Sequence, residues 1–198
     1  MANLITLSRI ALIIPFTAMF FIAAPWAMTA ALVIFLIAAS TDFLDGYIAR
    51  ARGEVSALGA ALDPLADKLL VAAALVLLIR NGVIAGAGVV AALTIILREL
   101  MVGGLREAVA QAGGALPVTQ LAKGKTAAQL IAVGLLLGAA PGGALGGLIG
   151  EAARPLASGV FWLATILTFW TGAHYARQAF ALLRADARAK DGKVGRLS

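Results

Sequence analysis

Long uncharged runs separated by short polar breaks are the dominant pattern of this sequence. Residues 10–41 carry no charge. As one helix, at about 1.5 Å per residue, they would exceed the roughly 30 Å hydrocarbon core of a bilayer. Pro25 and Trp26 interrupt the run at a point where a turn would place an aromatic side chain at a membrane interface. The pattern therefore predicts two spans, at 9–24 and 28–50.

The rest of the chain repeats this alternation of apolar runs and polar breaks, such as the break at 80–82. It predicts four further transmembrane helices, at 59–80, 83–107, 120–140 and 155–183. The glycine-rich stretch 138–150 is expected to form a mobile loop between the last two spans. The predicted fold is thus all-α: a polytopic membrane protein with six transmembrane helices, in a single domain over residues 1–198.

The basic residues are distributed unequally between the two ends of these spans. Of the sixteen Lys and Arg residues, all except Arg80 and Arg154 fall on one side of the six-span arrangement. The positive-inside rule predicts that this side, with both termini, faces the cytoplasm. Residues 184–198 form a basic cytoplasmic tail, which we expect to be a frayed helix near anionic headgroups.

Composition supports a bilayer environment and narrows the chemistry. Hydrophobic residues make up 62% of the chain and charged residues 13%, against about 45–50% and about 25% in soluble domains. The net charge of +6 does not indicate nucleic-acid binding, because the basic residues are spread among long apolar runs. The chain has no cysteine and one histidine, so it lacks the ligands for a metal site built from thiolate or imidazole groups. Any metal must therefore be held by oxygen.

Four of the ten acidic residues lie close together in the sequence, and this cluster is the main functional signal. Its members are Asp42, Asp45, Asp63 and Asp67. The first pair is three positions apart and the second four, so each pair shares one face of a helix. A hairpin of the second and third spans would bring the two faces together. Oxygen ligands in this number suit Mg²⁺, Mn²⁺ or Ca²⁺, and paired divalent ions are common in phosphoryl chemistry.

Other interpretations of the cluster remain open at this point. The aspartates could form structural ion pairs with Arg50, Arg52 and Lys68, in a membrane scaffold without catalytic activity. They could also form the ion site or proton relay of a cation or proton transporter. Transporters often contain internal repeats, and no second copy of the aspartate pattern occurs in this chain.

A longer motif surrounds the four aspartates. It reads Asp42, two residues, Asp45-Gly46, two residues, Ala49-Arg50, eight residues, Gly59, three residues, Asp63, three residues, Asp67. This motif resembles the signature of the CDP-alcohol phosphotransferase family at every position. The family's members transfer a phosphatidyl or similar group from a CDP-linked donor to an alcohol and release CMP.

The resemblance implies a role for each motif residue. The metal ligands that it implies, for two Mg²⁺ or Mn²⁺ ions, are Asp42, Asp45, Asp63 and Asp67. Asp67 would also be the catalytic general base toward the acceptor hydroxyl. The residues that it implies for binding of the nucleotide and donor phosphates are Gly46, Ala49, Arg50 and Gly59. The resemblance further implies a homodimer in the bacterial cytoplasmic membrane, with the active site facing the cytoplasm.

Four other segments bear on the acceptor. They are the Asn-x-x-Thr-x-x-Arg pattern at 3–9 and the segments 56–68, 97–99 and 124–129. All four are similar to bacterial members of the family that use CDP-diacylglycerol as donor and glycerol 3-phosphate as acceptor.

A group of cations near the ends of the fourth and fifth spans fits a phosphorylated acceptor. Its members are Arg98, Arg106, Lys123 and Lys125. They are expected to bind the acceptor phosphate while its hydroxyl faces Asp67. The positive-inside rule alone would also place cations here. Phosphatidylglycerol, inositol phosphate and serine remain alternative acceptors.

Overall fold

The computed structural model describes the backbone of residues 2–52, 57–116, 120–149 and 152–194, and the side chains of 7–41, 68–116, 124–149 and 152–185. All regular structure in these ranges is helical, which confirms the predicted all-α fold. The helices are α1 (Ala2–Met19), α2 (Ala27–Arg52), α3 (Ala57–Arg80), α4 (Ala87–Gln111), α5 (Gln120–Ala139), α6 (Ala144–Ile149) and α7 (Ala153–Val194).

The helices follow from runs of Ala, Leu, Ile and Val that Gly and Pro interrupt. Ala and Leu favour the helical backbone, and an apolar environment requires each peptide group to find its partner within the helix. The end of α4 shows how a run is terminated. Gly113 has φ 78°, a left-handed conformation that favours glycine, and the amide of Gly114 donates to the carbonyl of Val109 at 2.9 Å.

Side-chain contacts join several turns at one end of the helices. Arg80, the last residue of α3, donates through Nη1 to the carbonyl oxygen of Phe20, just after α1, at 3.3 Å. Thr29, near the start of α2, donates to the carbonyl of Gly142, just after α5, at 3.0 Å. We call this the distal end. The opposite end, where α2 ends and α3 begins, carries the aspartate motif and is called the aspartate end.

Aromatic rings pack in the core toward the distal end. The rings of Phe16 and Phe20 meet edge to face with centroids 5.2 Å apart, and Phe35 of α2 lies 6.1 Å from Phe16. All three are buried, together with Leu75 of α3 and Leu137 of α5. This packing joins α1, α2, α3 and α5 through apolar contacts.

Large apolar side chains also cover the outside of the helices, where Ile14, for example, is 74% exposed and Trp170 72%. Within the described ranges, two helical stretches have the length and composition to cross a membrane, at Ala87–Gln111 and Ala153–Ala185. Three shorter apolar helical stretches accompany them, at Leu7–Met19, Ala27–Thr41 and Gly124–Ala139. The six-span arrangement therefore stays a prediction.

The observed helices differ from the predicted spans in several places. α1 covers Ala2–Met19 rather than 9–24, α4 begins at Ala87 rather than at residue 83, and α7 continues through the predicted tail to Val194. The stretch expected to be a loop contains α6. Its Leu145 packs over Gly138, where an added Cβ would lie 2.7 Å from the leucine Cδ1. The absence of a side chain at Gly138 thus makes room for a helix that the glycine content alone does not predict.

Candidate active site

The four motif aspartates lie in two helices that are consecutive in the chain and contact each other. Asp42 and Asp45 belong to the last part of α2, and Asp63 and Asp67 to the first part of α3. The helical backbone at all four positions supports the predicted pairing of carboxylates on one face of each helix. Their side chains lie outside the described residues, so the convergence of the carboxylates remains a prediction.

The residues expected to bind the donor occupy the same two helices. Gly46, Ala49 and Arg50 are in α2 and Gly59 is in α3, and their side chains also lie outside the described residues. So does the side chain of Lys123 in α5. Among the residues with described side chains, no group of three His, Asp or Glu residues is placed to hold a metal ion.

Lys68 connects the motif helix to α4. It directly follows Asp67, and its Nζ lies only 2.8 Å from the point where a Cβ on Gly103 would be. An alanine at position 103 would therefore displace the ammonium group. Because glycine is present, a cation adjacent in sequence to the motif reaches the surface of α4, beside the predicted acceptor-binding cations.

Glu99 of α4 is the centre of a largely buried polar network. Its Oε1 forms ion pairs with Nζ of Lys125 in α5 and with Nη1 of Arg98, the latter at 3.1 Å. Nε2 of Gln129 lies 3.4 Å from the same oxygen. The side chains of Arg98 and Lys125 are each 6% exposed and that of Glu99 is 15% exposed. The structure thus brings together two of the four predicted acceptor-binding cations, with a carboxylate between them.

Two threonines extend this network to α7. Gln129 donates to Oγ1 of Thr168 at 2.8 Å, and Nη2 of Arg98 donates to Oγ1 of Thr171 at 3.2 Å. Each hydroxyl donates its own proton to a carbonyl one turn earlier in α7, at 2.7 Å for Thr168 and 2.8 Å for Thr171. The threonines therefore act as acceptors for side chains of α5 and α4, which links three helices through satisfied hydrogen bonds.

Arg98 reaches α7 because a glycine lies in its path. A Cβ on Gly172 would come within 2.6 Å of Cγ of Arg98, too close for both to keep their positions. The Arg98 guanidinium carbon lies 5.8 Å from the centroid of the Tyr175 ring, and that of Arg106 lies at the same distance. Nε of Arg98 is buried without a hydrogen-bond partner among the described residues.

Cations outnumber carboxylates among the described side chains of this network. Lys68 is close enough to Lys125, and Arg106 to Arg98, for their charges to repel. Among these described side chains, four cations accompany the single carboxylate of Glu99. Buried like charges are unfavourable unless anions offset them. The arrangement is therefore suited to an additional anionic ligand, and exposed Arg106 is accessible to one arriving from solution.

Sequence reasoning did not assign roles to several members of the network: Glu99, Gln129, Thr168, Thr171, Gly172 and Tyr175. A signal for some of them is present in the sequence. Thr165, Thr168 and Thr171 recur at every third position of an otherwise apolar stretch, which marks a polar stripe on one helix face. Segments 97–99 and 124–129, noted separately in the sequence, meet in space through Glu99 and Lys125.

Comparison with known proteins assigns a family to this arrangement. Residues 1–170 match the family model for CDP-alcohol phosphatidyltransferase. A Pseudomonas fluorescens protein named CDP-diacylglycerol–glycerol-3-phosphate 3-phosphatidyltransferase is 40% identical over 189 residues, which cover 94% of this chain and 93% of that protein. The protein of the same name from Rickettsia bellii is 37% identical over 175 residues, which cover 87% of this chain and 91% of that protein.

Proposed function

Because the chain belongs to the CDP-alcohol phosphatidyltransferase family, we propose that it transfers the phosphatidyl group of CDP-diacylglycerol to glycerol 3-phosphate. The products are phosphatidylglycerophosphate and CMP. The observation that carries this proposal is the similarity, over most of the chain, to relatives named for that reaction. The complete aspartate motif in α2 and α3 supplies the chemical groups that the reaction needs.

The motif residues fit a divalent cation, on which the family generally depends. Their donor set consists of carboxylate oxygens, the ligands that Mg²⁺ and Mn²⁺ prefer. We assign two such ions to the ligands Asp42, Asp45, Asp63 and Asp67. When bound, these ions stabilise the negative charge that develops on the diphosphate of the donor.

The remaining chemistry belongs to the side chains of α2 and α3. The Asp67 carboxylate accepts the proton of the acceptor hydroxyl. The hydroxyl oxygen bonds to the phosphorus that carries diacylglycerol, and the bond from that phosphorus to the bridging oxygen breaks. CMP leaves with that oxygen, so no covalent enzyme intermediate is required.

Small residues and one arginine hold the donor in this scheme. Gly46, Ala49 and Gly59 let the cytidine approach the two helices closely, because they carry little or no side chain. Arg50 follows on the same helix as Ala49. Its planar guanidinium donates two parallel hydrogen bonds to phosphate oxygens, a geometry that a lysine ammonium lacks.

The cation-rich network of α4 and α5 receives the phosphate of the acceptor. A phosphorylated acceptor carries a net negative charge, which the cations of the network attract. Serine is a zwitterion with no net charge and lacks this attraction. We assign this binding to Arg98, Arg106, Lys123 and Lys125. Lys68 supports the placement, because it directly follows Asp67 in the chain and its ammonium group reaches Gly103 on α4. A phosphate held there leaves the glycerol hydroxyl directed toward the motif.

The exposed apolar surface of the helices supports a location within a bilayer. In the proposed arrangement α1 to α5 and α7 each cross the cytoplasmic membrane of a bacterium, and the aspartate end faces the cytoplasm. The acyl chains of the donor then remain in lipid while its nucleotide reaches the motif. Surfaces rich in glycine and alanine allow close packing of a second copy, as expected for a homodimer.

The test is CMP release by the full chain purified in detergent, with CDP-diacylglycerol, Mg²⁺ or Mn²⁺, and one acceptor at a time. We expect CMP and phosphatidylglycerophosphate in equal amounts with glycerol 3-phosphate, and loss of release after chelation until the ion is restored. Release with inositol phosphate, serine or phosphatidylglycerol instead would reassign the acceptor. Folded protein that releases no CMP but conducts cations in proteoliposomes would contradict the transferase proposal.

A further inference from the structure

A cavity of about 380 Å³ lies at the distal end of the helices. It is bounded by the segment before α4, the last turn of α5 and the first turns of α7. Its walls are mostly apolar and include Val83, Leu136 and Phe161. Exposed residues, among them Trp162, also line it, so it opens to the outer surface of the protein.

The cavity is well separated from the candidate active site. Ala139, in its wall, follows Gln129 of the polar network by ten residues along α5. At about 1.5 Å per residue, the two sites are about 15 Å apart along the helix axis. A ligand in the cavity would therefore occupy the opposite leaflet from the reaction.

Arg154 is the single charged residue of the described lining, and no acidic residue accompanies it. Ser158 lines the cavity one helical turn later, so its hydroxyl and the guanidinium lie on the same face of α7. A lining of mostly apolar residues with a cation and a hydroxyl among them matches an amphiphile whose anionic head adjoins a hydrocarbon chain.

The other cation of the distal end, Arg80, is used differently. Its Nη1 donates to the Phe20 carbonyl at 3.3 Å and to Oδ1 of Asn81 at 2.9 Å, and its guanidinium lies 4.1 Å from the Phe21 ring centroid. Arg80 therefore ties α3 to the turn after α1. Arg154 instead borders an open volume of a size typical of ligand pockets, which are about 300–1,000 Å³.

We propose that this cavity binds an anionic phospholipid from the leaflet at the distal end. The phosphate accepts hydrogen bonds from Arg154 and Ser158, and an acyl chain lies along the apolar walls formed by α4, α5 and α7. The exposed ring of Trp162 also lines the cavity, where it can contact the acyl chain. Charge complementarity selects an anionic over a zwitterionic headgroup.

The test measures the dissociation constant of dioctanoyl phosphatidylglycerol for the full chain in a neutral detergent, without substrates. Arg154→Gln is expected to weaken binding about tenfold, the effect of losing one charge-assisted phosphate contact. Ser158→Trp, which obstructs the cavity and leaves the arginine in place, is expected to weaken binding similarly. The matched control, Arg184→Gln, removes an exposed cation farther along α7 and should retain binding within twofold.

Three further arms decide the outcome. Arg154→Lys should restore most of the affinity, dioctanoyl phosphatidylcholine should bind at least fivefold more weakly, and inorganic phosphate should not compete at equal concentration. Equal losses in Arg154→Gln and Arg184→Gln would overturn the proposal, since they would indicate general electrostatic attraction. Unchanged binding in Ser158→Trp would also overturn it. Because Arg154→Gln and Ser158→Trp leave the aspartate end unchanged, a loss of binding in these variants is independent of the proposed transferase activity.

Discussion

The two ends of the helix bundle use buried residues in opposite ways. Toward the distal end the core consists of apolar side chains such as Phe16, Phe35 and Leu78. Toward the aspartate end the side chains of Arg98 and Lys125 are almost as inaccessible, at 6% exposure. One helix contributes to both regions: α5 provides Leu137 to the distal core and Lys125 to the polar network.

The comparison shows that this protein buries charged side chains toward the aspartate end, where their burial is energetically unfavourable. Burying an arginine and a lysine costs desolvation free energy even when a carboxylate forms ion pairs with them. Apolar residues of similar size at the same positions often give a more stable fold than such buried ion pairs. The distal core shows that the chain forms such apolar packing elsewhere. The burial of these charges supports the proposed binding of the acceptor phosphate, which the following substitutions test.

The largest expected effect is that of removing a motif carboxylate. Asp63→Asn and Asp67→Asn should each lower kcat for CMP release by at least about 10³-fold, because a metal ligand or the general base is lost. The far-UV circular dichroism spectrum should remain that of the unmodified protein. Asp186→Asn, in the tail, is the control and should retain full activity. Appreciable turnover by Asp67→Asn would exclude the assigned role of this residue.

Lys125→Met tests whether the polar network binds the acceptor. Methionine keeps the apolar stem and removes the charge, while Glu99 keeps its ion pair with Arg98. The KM for glycerol 3-phosphate should rise about 10- to 100-fold, as expected for loss of a charged hydrogen bond. The KM for CDP-diacylglycerol and kcat should change less than threefold. Lys190→Met is the control, and equal kinetics of the two variants would rule out the proposed phosphate contact.

Gly172→Ala tests the close passage of Arg98 across α7. The added Cβ would meet Cγ of Arg98 at 2.6 Å, so overpacking should destabilise the protein by about 1–3 kcal/mol and raise the KM for glycerol 3-phosphate. Gly159→Ala, on the same helix, is the matched control, because a Cβ added at this position would have no atom within 4 Å. It should stabilise the protein by up to about 1 kcal/mol through helix propensity. Thermal unfolding in detergent measures both, and shifts of the same sign would contradict the described packing.

Arg80→Gln should have the smallest effect and should act on stability alone. It removes the contacts to the Phe20 carbonyl and the Phe21 ring, each worth about 0.5–1 kcal/mol at an exposed position. The melting temperature should fall by a few degrees, with both KM values unchanged. A raised KM for glycerol 3-phosphate would mean that the two ends are not functionally distinct.

The fold was predictable where the apolar runs are long and their interruptions sharp. Pro25 and Gly82 lie between observed helices, at points where the apolar runs also stop. Proline and glycine alone do not mark a helix end in this chain, because Pro15 lies inside α1 and Gly103 inside α4. α6 was not predictable. Its six residues are helical where Leu145 packs over Gly138 and Thr29 bonds to Gly142, and these contacts join residues distant in sequence.

For the candidate site, the sequence by itself determined the family and the motif residues, because the spacing of carboxylates on a helix is a local property of the chain. It also singled out Arg98 and Lys125, as cations predicted to bind the acceptor. Only the tertiary structure decided that Glu99 lies between them, that Gln129 and Arg98 bond to Thr168 and Thr171, and that Gly172 makes room for Arg98. These contacts depend on the distances and angles at which α4, α5 and α7 pack against one another. The order of residues along any one helix does not specify that packing.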